Sequence, residues 1–90
     1  MIVEFDPDKR NANLLDRGLD FAETWQVFEG PYFTRLDSRF DYPEPRFQTY
    51  GLLQGRMVMF AWTPVEGGIR VISMRNCHDK EIKRINASLG

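Results

Sequence analysis

RFQTYGLLQGRMVMFAWTPVEGGIRVISM, residues 46–74, is the stretch that decides the fold. It holds three runs rich in Val, Ile, Phe, Tyr and Trp: Arg46 to Leu53, Arg56 to Thr63 and Ile69 to Met74. Gln54-Gly55 separates the first two, Glu66-Gly67-Gly68 the second pair, and Asn76 bounds the last. Short glycine-containing turns between such runs specify an antiparallel meander. Strict alternation in the third run would put Arg70 with Ile72 and Met74 on one side, and Ile69, Val71, Ser73 and Arg75 on the other.

Upstream, residues 32–45 are polar and contain Asp37, Ser38, Arg39, Asp41 and two prolines, which predicts a short edge strand followed by an exposed loop. Two helices are expected before that. Asp6 caps the first, with Pro7 in the first helical position where no donor is needed, and Gly18 supplies a left-handed stop. Ala12, Leu15 and Leu19 keep helical spacing along it. Asp20 and Glu23 read as an acidic capping box for the second helix, in which Phe21, Trp25 and Phe28 form an apolar stripe ended by Gly30-Pro31. The opening Ile2 to Phe5 alternates like a strand. Downstream, Asp79 to Leu89 puts Ile82, Ile85 and Leu89 on one helical stripe, with Lys80, Lys83 and Arg84 elsewhere. The expected order is β-α-α-β-β-β-β-α: one α+β domain over residues 1–90, with two N-terminal helices packed on a mainly antiparallel sheet and a C-terminal helix.

Apolar residues make up 42% of the chain and aromatics 13%, enough for a packed core and too much for disorder. The longest uncharged apolar stretch, Met57 to Val65, falls far short of the roughly 20 residues that span a bilayer. Glu4, Asp6 and Asp8 stand where an export signal would be basic and then apolar. One cysteine, Cys77, excludes an internal disulfide and a zinc cluster of paired cysteines; its expected role is a small filler. These signs together point to the cytoplasm. The net charge of −1 conceals a division. Residues 1–45 carry ten acidic and five basic side chains, and residues 46–90 carry three acidic and seven basic. Nine of the twelve basic residues are arginine, whose planar fork matches phosphate and keeps its proton. A basic half draws polyanions even when the whole molecule is acidic.

No glycine-rich phosphate loop, paired-cysteine motif or His-Glu helix is present, and His78 is the only histidine, placed beside a turn. No cofactor and no metal are expected. Arg70 stands inside a run otherwise made for burial, where it either pairs with an acid such as Glu4 or Glu44 or faces a ligand. Tyr50, Phe60 and Trp62 either belong to the core or stack bases.

Four segments carry a resemblance. Phe5-Asp6-Pro7-x-Lys9-x-x-x-Asn13-Leu14-x-x-x-Gly18-Leu19-x-Phe21-x-x-Thr24, read with Phe28 and Pro31, resembles the opening of the BrnT toxins. Glu44-x-Arg46-Phe47-x-x-x-Gly51 and Arg70 to Arg75 are similar to that family's other recurrent segments, in order and at the right spacing. The resemblance implies a RelE-like fold and a ribonuclease that arrests translation. It also implies a ribbon-helix-helix antitoxin as partner, RNA as substrate, and DNA met only through that antitoxin in a complex that represses its own operon. Two positions depart from the family. Arg17 stands where a histidine usually precedes the glycine, and Thr24 where small apolar residues are common.

Metal-free cleavage of RNA requires a proton taken from the 2′-hydroxyl, charge stabilised on the phosphorane, and a proton given to the leaving 5′-oxygen. Arg46, Arg70 and Arg75, in the matching segments, suit the middle task. Lys9, early in the first helix, is a candidate for proton transfer, with Lys80 and Glu81 at the start of the last helix as alternatives; His78, beside a turn, reads as a solvated surface histidine. Arg17, Arg56 and Lys83 are expected to hold the RNA backbone; a guanidinium at position 17 cannot act as an acid or base near neutral pH. The alternative function is a toxin-like binding subunit without activity, acting in an autorepressing complex on DNA.

Overall fold

A computed structural model describes residues 1–89. Five strands, β1 (Ile2–Glu4), β2 (Tyr32–Leu36), β3 (Phe47–Leu53), β4 (Arg56–Val65) and β5 (Gly68–Asn76), form one sheet in the order β1-β5-β4-β3-β2. The meander β2 to β5 is antiparallel, and β1 closes the sheet parallel to β5, so the sheet is mixed. Gln54 and Gly55, at φ +51° and +83°, form the β3–β4 turn, whose twist suits a two-residue hairpin.

The helix α1 (Pro7–Arg17) starts and stops as its caps dictate. The Asp6 side chain accepts from the Asp8 N–H, and Gly18, at φ +69°, donates to the Leu14 carbonyl. Of the expected stripe only Leu19, beyond the helix, is buried; Ala12 is exposed and Leu15 is 91% exposed. The next helix, Phe21–Glu29, is a 3₁₀ helix rather than an α-helix. Its three-residue turn lines up Phe21, Thr24 and Val27 as the buried face and leaves Trp25 42% exposed, in place of the stripe through Trp25 that a 3.6-residue period requires. Thr24 satisfies its hydroxyl on the Phe21 carbonyl. The capping box is incomplete: Asp20 accepts from the Ala22 N–H, but the Glu23 carboxylate turns to Gln26 and Gln54. Asp20 also takes a forked pair from Arg10, at 2.8 and 2.7 Å, which ties the two helices together.

These helices cover one face of the sheet, where Leu19, Phe21 and Val27 pack with Val58, Phe60, Ile69, Val71 and Met74. The helix α2 (Asp79–Leu89) covers part of the other face, seating Ile85 and Ile82 on Tyr50, Met57 and Met59. The central strand β4 is therefore buried on both sides.

One irregularity sets the faces of β5. Ala61 pairs with Ser73 and Trp62 with Val71, so Ile72 is an extra residue with no partner in β4. This bulge shifts the alternation by one. Met74 joins Ile69 and Val71 in the helix-side core, and Arg70 and Arg75, opposite Thr63 and Met59, share the α2 face. The simple alternation that grouped Arg70 with Met74 and opposed it to Arg75 is thereby overturned.

Close approach of β1 to β5 depends on Gly68, where an added Cβ would lie 1.8 Å from the Ile2 carbonyl oxygen. Gly68→Ala is expected to cost about 2 kcal/mol or more in urea unfolding, whereas Gly30→Ala, with nothing within 4 Å, should stay within about 1 kcal/mol of wild type.

Candidate nucleic-acid and catalytic surface

Beyond Arg70, β5 has no strand on its outer side, because β1 pairs only with Gly68 to Arg70. Arg17 covers this open edge, donating from Nη1 to the Met74 carbonyl at 2.7 Å. Lys9, exposed on α1, lines a shallow hollow there with Arg17, Ile72 and Ser73. Arg56 reaches from the start of β4 to the Gly18 carbonyl, at 3.4 Å. Arg17 and Arg56 thus brace the end of α1, and the guanidinium at position 17 is partly engaged by backbone.

The α2 face carries the other arginines. Arg70 is exposed, and its nearest acid is Glu4 at 3.9 Å, both side chains being about half exposed. A surface pair of this length contributes little and leaves the guanidinium available. Arg46 lies in the loop before β3 with its guanidinium 3.9 Å from the centre of the Tyr42 ring. The Pro45 carbonyl accepts from Thr63, the partner of Arg70, so this loop meets the sheet at the Arg70 end. The loop is anchored by the buried Asp37, which receives the Arg39 fork and lies below the usual carboxylate range because of it.

Arg75 stands four positions away along β4, about 13 Å at roughly 3.3 Å per residue. It makes a forked pair with Glu81 of α2, Nη1 to Oε1 at 2.7 Å and Nη2 to Oε2 at 2.8 Å. Glu81 also accepts the His78 N–H. These bonds, the Arg75 fork foremost, pull the Glu81 pKa down to about 2 despite burial. A carboxylate held that firmly ionised is a weak base at neutral pH. Cys77 beside them is pushed up to about 11, first by burial and then by the Glu81 charge, so it stays a thiol. Lys80, Lys83 and His78 are exposed around α2. Tyr50 and Phe60 are buried, and Trp62 donates to Thr49 while stacking on Phe47, so these aromatics are core rather than base platforms.

The structure brings Arg46 to the Arg70 end of the sheet, Lys9 beside Arg17, and Arg56 to the end of α1 by Gly18; Arg75 is bound to Glu81 of α2, the helix that also carries Lys80 and Lys83. Sequence reasoning did not single out Arg35. Its Nε donates to Gln48 at 2.9 Å and its Nη2 to the Tyr50 hydroxyl at 2.9 Å, beside Arg84 across a recess under α2. The available signal was alternation, since Phe33 and Arg35 share the face of β2 that meets Tyr50 and Gln48.

The family model for BrnT, described as the ribonuclease toxin of a type II toxin–antitoxin system, matches residues 5–81. The chain belongs to the BrnT toxin family. No curated protein matches the chain. A BrnT toxin has a cognate antitoxin as its partner and ribonuclease activity as its family function. The matched span contains Lys9, Arg17, Arg46, Arg56, Arg70, Arg75 and Lys80; Lys83 and Arg84 lie past its end. Among the described residues no helix is long and apolar enough to cross a membrane.

The Arg75–Glu81 pair makes a pH-dependent tie between β5 and α2 in this BrnT chain. Because the Glu81 pKa is lowered from 4.5 to about 2, its contribution is full above pH 4.5 and is lost as pH falls toward 2. Glu81→Gln should therefore unfold more easily at pH 7, by about 1–3 kcal/mol, and the difference from wild type should shrink over that acid window in urea titrations.

Proposed function

We propose that this BrnT chain is a metal-independent endoribonuclease with a RelE-like fold, which cuts RNA, arrests translation, and is neutralised by a ribbon-helix-helix antitoxin. The observation that carries the reading is the bulge at Ile72, which turns Arg70 and Arg75 to one face and leaves Arg70 exposed with only a loose acid neighbour. On that face Arg70, helped by Arg46, meets charge developing on the phosphorane with a fork free of any close acid, and Arg75 joins them by exchanging its Glu81 partner for a phosphate oxygen. Lys80, on α2 beside the Arg75–Glu81 pair, and Lys9, by the open edge of β5, carry the proton transfers. Arg17, Arg56 and Lys83 support the RNA backbone around them. The antitoxin is the only component of the complex that contacts DNA.

One observation favours a second reading, an inactive binding subunit in the repressor complex. Arg75 is engaged by Glu81 and Arg17 by the Met74 carbonyl, so two of the expected arginines already have partners within the fold.

The purified chain incubated with labelled RNA in excess EDTA separates these. Cutting by wild type, with a loss on the order of 10²-fold in Arg70→Ala at unchanged circular dichroism, is the expected result. Arg70 is the clean position, since its removal strands only the half-exposed Glu4. Cutting abolished by EDTA would overturn metal independence, equal cutting by the variant would remove Arg70 from the site, and no cutting of free or ribosome-bound RNA would leave the binding subunit.

A further inference from the structure

We propose that the recess between α2 and strands β2–β3 holds a phosphodiester of the RNA substrate, gripped by Arg35 from the sheet and Arg84 from the helix. This rests on the ribonuclease reading above and adds a binding site outside the segments that motivated it.

The recess measures about 170 Å³ and is lined by Phe33, Arg35, Tyr50, Glu81, Arg84 and Ile85 together with Ser88. At about 30 Å³ per water it has room for one phosphate group and a little solvent, and it is smaller than the roughly 300 Å³ at which sites for whole small molecules begin. Its charge balance follows from the bonds already described. The one acid in the lining, Glu81, has both oxygens taken by Arg75, so that pair is internally neutral. Arg84 makes no ion pair and no side-chain hydrogen bond among the described residues. Arg35 is oriented rather than neutralised: Gln48 and the Tyr50 hydroxyl, both uncharged, fix two of its nitrogens, and its Nη1 has no partner among the described residues. Two guanidinium charges thus face a small recess with no free carboxylate in it.

The chemistry this arrangement takes is a compact anion with several oxygens, which planar forks grip at more than one point. Its place in the sheet supplies the occupant. Tyr50 pairs with Met59, and Met59 with Arg75, so the recess lies on the same face as Arg70 and Arg75, two strand spacings or about 10 Å from Arg75. An RNA strand laid across that face reaches the recess with a phosphate near the one to be cut. Arg35 and Arg84 bind; Tyr50 is a positioning residue, holding Arg35 in register.

The test uses a fluorescein-labelled 2′-O-methyl RNA decamer, which cannot be cleaved through its 2′ position, followed by anisotropy over a salt series. Dimethyl phosphate is titrated separately while the arginine Nε–H signals are followed by NMR. Arg35→Ala and Arg84→Ala should each weaken RNA binding several-fold and lower the salt slope by about one phosphate contact, and Arg84→Lys should restore most of the loss. Tyr50→Phe should weaken binding while moving the Arg35 signal in the absence of ligand, which a purely structural loss would not confine to one arginine. Dimethyl phosphate should shift Arg35 and Arg84 selectively. Unchanged affinity and slope in both alanine variants, in a chain that still cuts RNA, would overturn the recess and leave the ribonuclease reading intact. A wild type that binds dimethyl phosphate and no RNA would overturn both.

Discussion

Ile72 has no partner in β4, and most of what is distinctive about this molecule follows from that one unpaired residue. Without it, β5 would alternate through Arg70, Ile72 and Met74, and a large thioether would point at solvent while Arg75 pointed into the helix-side core. With it, Met74 is fully buried beside Ile69 and Val71, and both arginines leave through the opposite face. Bulges bend and twist a strand locally and re-aim side chains, which is why they recur near functional surfaces. Here the re-aiming lets one strand serve a dry core and a charged surface.

The electrostatics of that surface depend on which cations the fold has already matched. Arg10 is answered by Asp20, Arg39 by Asp37 and Arg75 by Glu81, each through a fork. Such pairs stitch elements together and present little net charge to a ligand. Arg70, Arg35 and Arg84 have loose, neutral or no partners among the described residues, so their charge is left unmatched within the fold. The excess of basic residues after position 45 marks the tendency, and only the pairing distinguishes a bracing arginine from an unmatched one.

Features that depend on neighbours in sequence were legible from sequence: the Asp6 cap with Pro7, the left-handed Gly18, the glycine turns of the meander, and the amphipathic α2. Features that depend on residues far apart were not. The register shift in β5 has no local mark, since Arg70 to Met74 reads as regular alternation. The 3₁₀ period is hidden in the sequence because Phe21, Trp25 and Phe28 fit an α stripe, while the small Thr24 that is buried where Trp25 was expected looks unremarkable on paper. The partners of Arg75 and Arg35 lie on α2 and β3 and emerge only from packing. At the surface, the family segments pointed to Arg46, Arg70 and Arg75, and they passed over Arg35 because it sits on an edge strand amid polar residues.

The parallel pairing of β1 with β5 also bears on the order in which the fold can close. Ile2 finds its partner only at Gly68, and the sheet cannot close until the last strand has been made. Long-range closure of this kind is slow to form. The arginines of β5 and the helix that flanks them are synthesised at the same late stage. A chain made only as far as β4 therefore has neither a closed sheet nor the arginines of β5.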